Sequence, residues 1–355
     1  MQILPLALLK VIWRISMGII NMLPFDDNPC SLMYHNTAFS MGIIQANATT
    51  DITPWLCNKY INCCFFKDRN SQNKFTISTI DNWATSNKIL ILERINLTPD
   101  LFEEVFGDII EFLKRRIANG SYPHGTYNEE FIPGKRDYKN KYFAHDYLLI
   151  GYNDYLNEFT TVGYLANERF QRFQISYDDF YKAIHTLRNS TYNINFWKFN
   201  SHAPLEINTN FILQELIDYS NSNTSMKIYS QNRWWGIEAI IHLALYFEDQ
   251  CDYNNQFDNR YTRGLMEHKY FMLKRIEYFV NTSIIRNDAE IFLECAKKVY
   301  QKSQLIHMLS IKYNISGNKK YGIQIINLIH EMVNCEKSYI YDVVEMLKSH
   351  IKGAL

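Results

Sequence analysis

Ala144-His145-Asp146-Tyr147-Leu148-Leu149-Ile150-Gly151-Tyr152-Asn153-Asp154-Tyr155-Leu156-Asn157-Glu158-Phe159-Thr160-Thr161-Val162-Gly163-Tyr164-Leu165 is the stretch that decides how this chain is read. Its first part, 145–152, is a short apolar run of the length and composition of a buried strand. Asn153 to Asn157 is a polar turn, and Glu158 to Leu165 returns rich in Thr, Val, Phe and Tyr. The three pieces spell a β-hairpin. Phe170 to Ile175 supplies another strand, and Ser176-Tyr177-Asp178-Asp179 caps a short helix that runs through His185.

Upstream of the hairpin the texture alternates. Asn28-Pro29 sets a turn, and the stripe Leu32, Phe39, Ile43 and Ile44 predicts a helix over 30–47. Runs at 61–66 and 89–92 have strand length. Thr98-Pro99-Asp100 opens a helix with Leu101, Val105, Ile109, Ile110, Leu113 and Ile117 on one face, stopped by Asn119-Gly120. Beyond about residue 205 only helical patterns remain, at 207–220, 231–249, 260–281, 287–313 and 319–350. The expected class is α+β. A mixed domain over 22–203 is followed by an all-helical domain over 204–355, with 1–21 as an N-terminal segment packed on the body. A length of 355 residues suits two domains.

Lys+Arg and Asp+Glu are both 37, so the net charge is zero and gives no electrostatic reason to expect nucleic acid or an anionic membrane as partner. Lys10 and Arg14 interrupt the apolar N-terminal run, no small-residue cleavage site follows, and no uncharged apolar stretch has spanning length. The seven Cys are odd in number and irregularly spaced, without a C-x-x-C pair, which points to a reduced, cytoplasmic protein rather than a zinc or disulfide framework. Cys63 and Cys64 read as core thiols. Phosphate-loop, dinucleotide, zincin and serine-elbow motifs are all missing, so neither cofactor nor metal is expected.

Acyl-transfer chemistry is what the remaining residues can carry. Cys30, placed at the start of the predicted helix, would gain thiolate character from the helix N-terminus. The free amides there, with Asn28 and Ser31 beside them, would support an oxyanion. His145, at a strand start far away in sequence, is the candidate base, the papain-type arrangement. Counting back along the hairpin puts Asn167 opposite His145 as the group that orients the imidazole. His35 and the other histidines are weaker candidates.

Several segments together resemble the butirosin biosynthesis protein H N-terminal family. They are Pro24-Phe25 with Cys30 and Asn36, Ile117 to Gly120, Glu130-Phe131-Ile132-Pro133, Phe143-Ala144-His145-Asp146 with Leu149 to Asp154, and the helix from Asp258 to Tyr278. The likeness spans about 22–280. It implies a papain-like fold and transfer of an acyl group from a carrier-protein thioester to an amine in natural-product or peptide biosynthesis. By motif position it maps the nucleophile to Cys30 and the base to His145. The chain departs from the family at Tyr122-Pro123-His124-Gly125, at Gly163-Tyr164 where an Asp-Pro is usual, and at Arg260-Tyr261-Thr262-Arg263. The expected function is therefore Cys30-dependent acyl transfer from an acyl or peptidyl thioester. A papain-like peptidase or amidase is the alternative, and a non-catalytic papain-like binding or assembly protein the third reading.

Overall fold

In the computed structural model the described residues are 20–67, 72–77, 91–97, 108–188, 194–224, 233–286 and 288–353. Along the chain these form β1 (Ile20–Met22), α1 (His35–Asn47), α2 (Thr53–Leu56), β2 (Cys64–Lys67), β3 (Asn73–Thr76), β4 (Leu92–Leu97), α3 (Ile109–Ala118), β5 (Tyr122–Asn128), β6 (Ala144–Asn153), β7 (Glu158–Tyr164), β8 (Phe170–Ser176), α4 (Tyr177–His185), β9 (Ile194–Phe199), α5 (Thr209–Ser220), β10 (Arg233–Trp235), α6 (Gly236–Asp252), α7 (Asn259–Asn281), α8 (Ala289–Ser316) and α9 (Lys319–Gly353). The class is mixed α and β, with antiparallel sheets and a helical C-terminal region.

The chain divides into two compact units, 1–49 with 89–203 and 50–88 with 204–355. The first is built on an antiparallel sheet in the order β4-β9-β5-β6-β7-β8. The hairpin read from sequence is its centre: β6 pairs with β7 through Tyr152↔Phe159 and Leu148↔Val162, with a bulge between Leu149 and Gly151. β1 pairs with Gly151–Asn153, beyond the stretch of β6 that β5 occupies. Gly151 permits that approach, because a Cβ there would lie 2.6 Å from the Asn21 carbonyl oxygen. The helix α1 lies on β6, β7 and β9, burying Ala38, Phe39, Ile43 and Ile44. The Ser176 hydroxyl accepts from the Asp179 N–H and starts α4, as the sequence foretold.

One helix start differs from expectation. α1 begins at His35, not at residue 30. Tyr34 is extended, with φ −135° and ψ 154°. The Thr37 hydroxyl donates to the Tyr34 carbonyl at 2.8 Å and receives its N–H at 3.4 Å. This local pair nucleates the helix, and residues 30–34 run irregularly before it. The start of the helix expected at Thr98-Pro99-Asp100 lies outside the described residues, as do 1–19 of the N-terminal segment and the first part of the 89–92 strand. The described helix α3 opens on Asp108, whose carboxylate accepts from the N–H groups of Ile110 and Glu111.

The second unit corrects the expected boundaries. It is not purely helical, and it takes in 50–88, which a continuous 22–203 domain would exclude. A small antiparallel sheet β10-β2-β3 aligns Trp235 with Cys64 and Phe65 with Phe75. The helix α7 fixes the segment chemically. Tyr261, His268 and Arg275 recur at the seven-residue interval that returns to one helix face. Their side chains donate to the carbonyls of Asn73, of Ile61 (2.9 Å) and of Cys57 (2.8 Å) respectively. Arg275 also reaches the Lys59 carbonyl at 2.6 Å. The carbonyls of Cys57, Lys59, Ile61 and Asn73 are thus satisfied by side chains of α7. Cys63 and Cys64 are fully buried, as expected, and burial pushes both thiols upward.

Candidate active site

β5 and β6 pair so that Tyr127 faces His145 across the ladder. The chain then leaves β5 through Asn128, whose side-chain oxygen accepts from the Glu130 N–H (3.2 Å) and the Phe143 N–H (3.1 Å). This pinned corner sets Glu129 beside the imidazole. Glu129 Oε1 lies 2.6 Å from His145 Nδ1. The carboxylate side chain is only 5% exposed, whereas that of His145 is 34% exposed.

Behind the pair sits Lys135, 2% exposed, with its ammonium 3.3 Å from the same carboxylate oxygen and donating to the Tyr164 carbonyl at 2.7 Å. Burial pushes the Glu129 carboxyl upward, but the His145 hydrogen bond and the Lys135 charge outweigh it, and the net shift is below the usual value. The same burial holds Lys135 below the usual lysine value, against the pull of Glu129. An ionised Glu129 accepts the Nδ1 proton of His145. That tautomer leaves Nε2 with its lone pair, and no described group hydrogen bonds to it. A histidine so held has a fixed ring and can serve as a general base.

His35, at the first turn of α1, completes the cluster. Its ring meets that of His145 edge-on at 4.3 Å between centroids. Its Nε2 accepts from the Tyr164 N–H at 3.2 Å, so the proton sits on Nδ1. Burial pushes the imidazole well below its ordinary range, and the charges of His145, Lys135 and His124 act in the same direction. His35 is therefore neutral at physiological pH. A neutral neighbour lets His145 accept a proton without like-charge repulsion from that side.

The expected residues fare differently. His145 stands at the start of its strand with an acid on its ring. Cys30 is not at the helix start. Its N–H donates to Gln45 Oε1 at 2.7 Å, ten residues along α1 from His35, a rise of about 15 Å. It thereby loses the helix-terminus argument for a low thiol pKa. Asn28 and Ser31 likewise precede the helix by several residues and do not belong to its free amides. Asn28 is exposed with its N–H on Asp26 at 2.9 Å, and Ser31 is buried. Asn167 is exposed in the β7–β8 turn, where its side-chain oxygen accepts the Arg169 N–H at 3.0 Å. The ladder opposite His145 is β5, not the far strand of the hairpin, so the orienting group is Glu129. Reading the sequence missed Glu129 and Lys135 and ranked His35 only among the weaker candidates. The available signal was a carboxylate directly after a strand that closes opposite His145.

Among the described residues no group of three or more His, Cys, Asp or Glu is arranged to hold a metal ion, and no helix is long and apolar enough to cross a membrane. No protein-family model matches the chain, and no curated protein matches it.

Proposed function

We propose that the first unit is a papain-like acyl-transfer domain in which His145, held by Glu129, acts directly on the attacking nucleophile, and that Cys30 forms no acyl-enzyme. The observation that carries this reading is the 2.6 Å contact between His145 Nδ1 and a buried, lysine-backed carboxylate on a ring that still meets solvent. In the proposed step Nε2 removes a proton from an amine or hydroxyl as its lone pair forms a bond to the acyl carbonyl carbon. The C–S bond of a thioester donor breaks, and the protonated imidazole returns the proton to the departing thiolate. The imidazolium that forms meanwhile is stabilised by Glu129. The resemblance of the hairpin region to the butirosin protein H N-terminal family supports the thioester class, a carrier-protein donor and a place in a biosynthetic cluster. The odd number and irregular spacing of the seven cysteines support the cytoplasm.

A second reading, a papain-like binding or assembly protein, is favoured by one observation: the helix opens on His35-Asn36-Thr37, with no thiol. A panel of acyl-pantetheine thioesters, with and without amine acceptors, separates the readings. Thiol release and adduct mass are the readouts. Wild-type protein is expected to release thiol, Cys30→Ala to do so at a similar rate, and His145→Ala to lose about 10²–10⁴-fold. An acyl adduct on Cys30 together with an inactive Cys30→Ala restores the acyl-enzyme route. Absence of release from every thioester supports the binding module.

A further inference from the structure

The second unit carries a surface that the site in the first does not use. α8 packs its Ile306, Leu309, Ser310 and Tyr313 side against α7 and α9. On the other side Leu305, Met308, Ile311 and Ile315 stay exposed, at 40%, 54%, 39% and 82%. At helical spacing these four fall within about a third of the circumference and run about 15 Å along the axis. This is an i, i+3, i+6, i+10 ladder, the pattern by which one helix engages another.

Charge gives the strip its polarity. Between Glu294 and Glu331 the sequence has no acidic residue, and it places Lys297, Lys298, Lys302, Lys312, Lys319 and Lys320 there, in a chain whose net charge is zero. Lys298 and Lys302 are paired with the two flanking acids, Glu294 and Glu331. Lys312 lies among the apolar four, and Lys319 and Lys320 follow the turn at Gly317; all three are exposed.

We infer that this face of α8 docks an acidic amphipathic helix of another protein, its apolar side on Leu305, Met308, Ile311 and Ile315 and its carboxylates on the lysines. A second copy of this chain is disfavoured, because a two-fold interface would set lysines against lysines. A lipid surface is disfavoured because α8 is locked between two helices and offers a narrow strip, broken by Gln301 and Gln304, without the Trp or Phe of interfacial helices.

The probe is a fluorescent helical peptide with leucines at i, i+3 and i+7 flanked by glutamates, titrated against the full-length chain by polarisation. Saturable binding is expected, weakening as salt is raised and the charges are screened. Met308→Glu and Ile315→Glu should each weaken it by about tenfold or more, as loss of a central apolar anchor does, and Lys312→Glu by less. The exposed positions allow these variants to fold, which circular dichroism checks. A peptide with lysines replacing the glutamates should not bind. Equal affinity of wild type and Met308→Glu overturns the inference. So does chain that cosediments with phosphatidylserine vesicles but ignores the peptide, or a dimer in sedimentation that Met308→Glu dissociates.

Discussion

Each unit contains a buried lysine–glutamate pair, and the two pairs are put to different ends. In the second unit Lys269 and Glu336 meet at 2.5 Å with both side chains 0% exposed. The Tyr219 hydroxyl bridges them, receiving from Lys269 at 2.8 Å and donating to Glu336 at 2.7 Å. In the first unit Lys135 and Glu129 lie 3.3 Å apart, and the carboxylate gives its shorter contact to a histidine that reaches solvent. The sealed pair has only protein to talk to and holds α7 to α5 and α9. The other ends on a titratable ring that can exchange a proton with whatever arrives. On the proposed function, an ion pair in a core is a structural or a chemical device according to its third partner.

The comparison breaks most visibly if the sealed pair proves dispensable. Removing one member of a sealed pair leaves an uncompensated charge, so Lys269→Met is expected to cost about 3–5 kcal/mol, and Lys269→Met with Glu336→Leu to cost clearly less than the sum of the single changes. Denaturant unfolding of the three proteins checks this.

A smaller loss is expected where backbone touches the open cluster. A Cβ on Gly163 would stand 3.3 Å from His35 Nε2 and 3.5 Å from Lys135 Nζ. Gly163→Ala should cost about 1–3 kcal/mol by overpacking and should also alter the pH dependence of any activity, because His35 and Lys135 both support the His145–Glu129 pair. A purely structural glycine would leave that profile in place.

Acid sharpens the contrast further. His268 in the second unit, like His35 in the first, is held well below the usual histidine range, first by burial. Both are neutral when folded, and the unfolded chain binds their protons at about pH 6.5. Their stabilisation is therefore complete above that pH and lost as pH falls below it. His268→Gln, which keeps a donor for the Ile61 carbonyl, should flatten the fall in melting temperature between about pH 6.5 and 5.

Glu129 acts on the melting curve in a lower pH window. Its folded value lies below the usual 4.5, so its stabilisation is present above that pH and lost as pH falls further. Glu129→Gln should flatten only this last limb of the melting-temperature curve. An unchanged curve would mean that the Glu129–His145–Lys135 network does not stabilise the fold.

How much of this was legible beforehand follows the range of the interactions. The β6–β7 hairpin, the Ser176 cap of α4, the stop at Gly120 with φ 78° and the run of C-terminal helices are written locally, in alternation, turn residues and caps a few positions apart. His145 could be singled out because a strand start is also a local property. The start of α1 was misread although its signal was local, since Thr37 acts on Tyr34 through hydrogen bonds that hydrophobic periodicity does not register.

What only the tertiary structure decided depends on pairings between distant segments. β5 rather than the hairpin's far strand lies alongside the first residues of β6, so the group on the His145 ring is the Glu129 carboxylate and not the Asn167 amide. α7 claims the carbonyls of Cys57, Lys59, Ile61 and Asn73 from some 200 residues away in sequence, which draws that segment into the second unit. Side-chain periodicity fixes which face of an element is apolar, but it does not say which other face it meets. Strand order and buried polar partners are settled by the free energy of the whole packed unit.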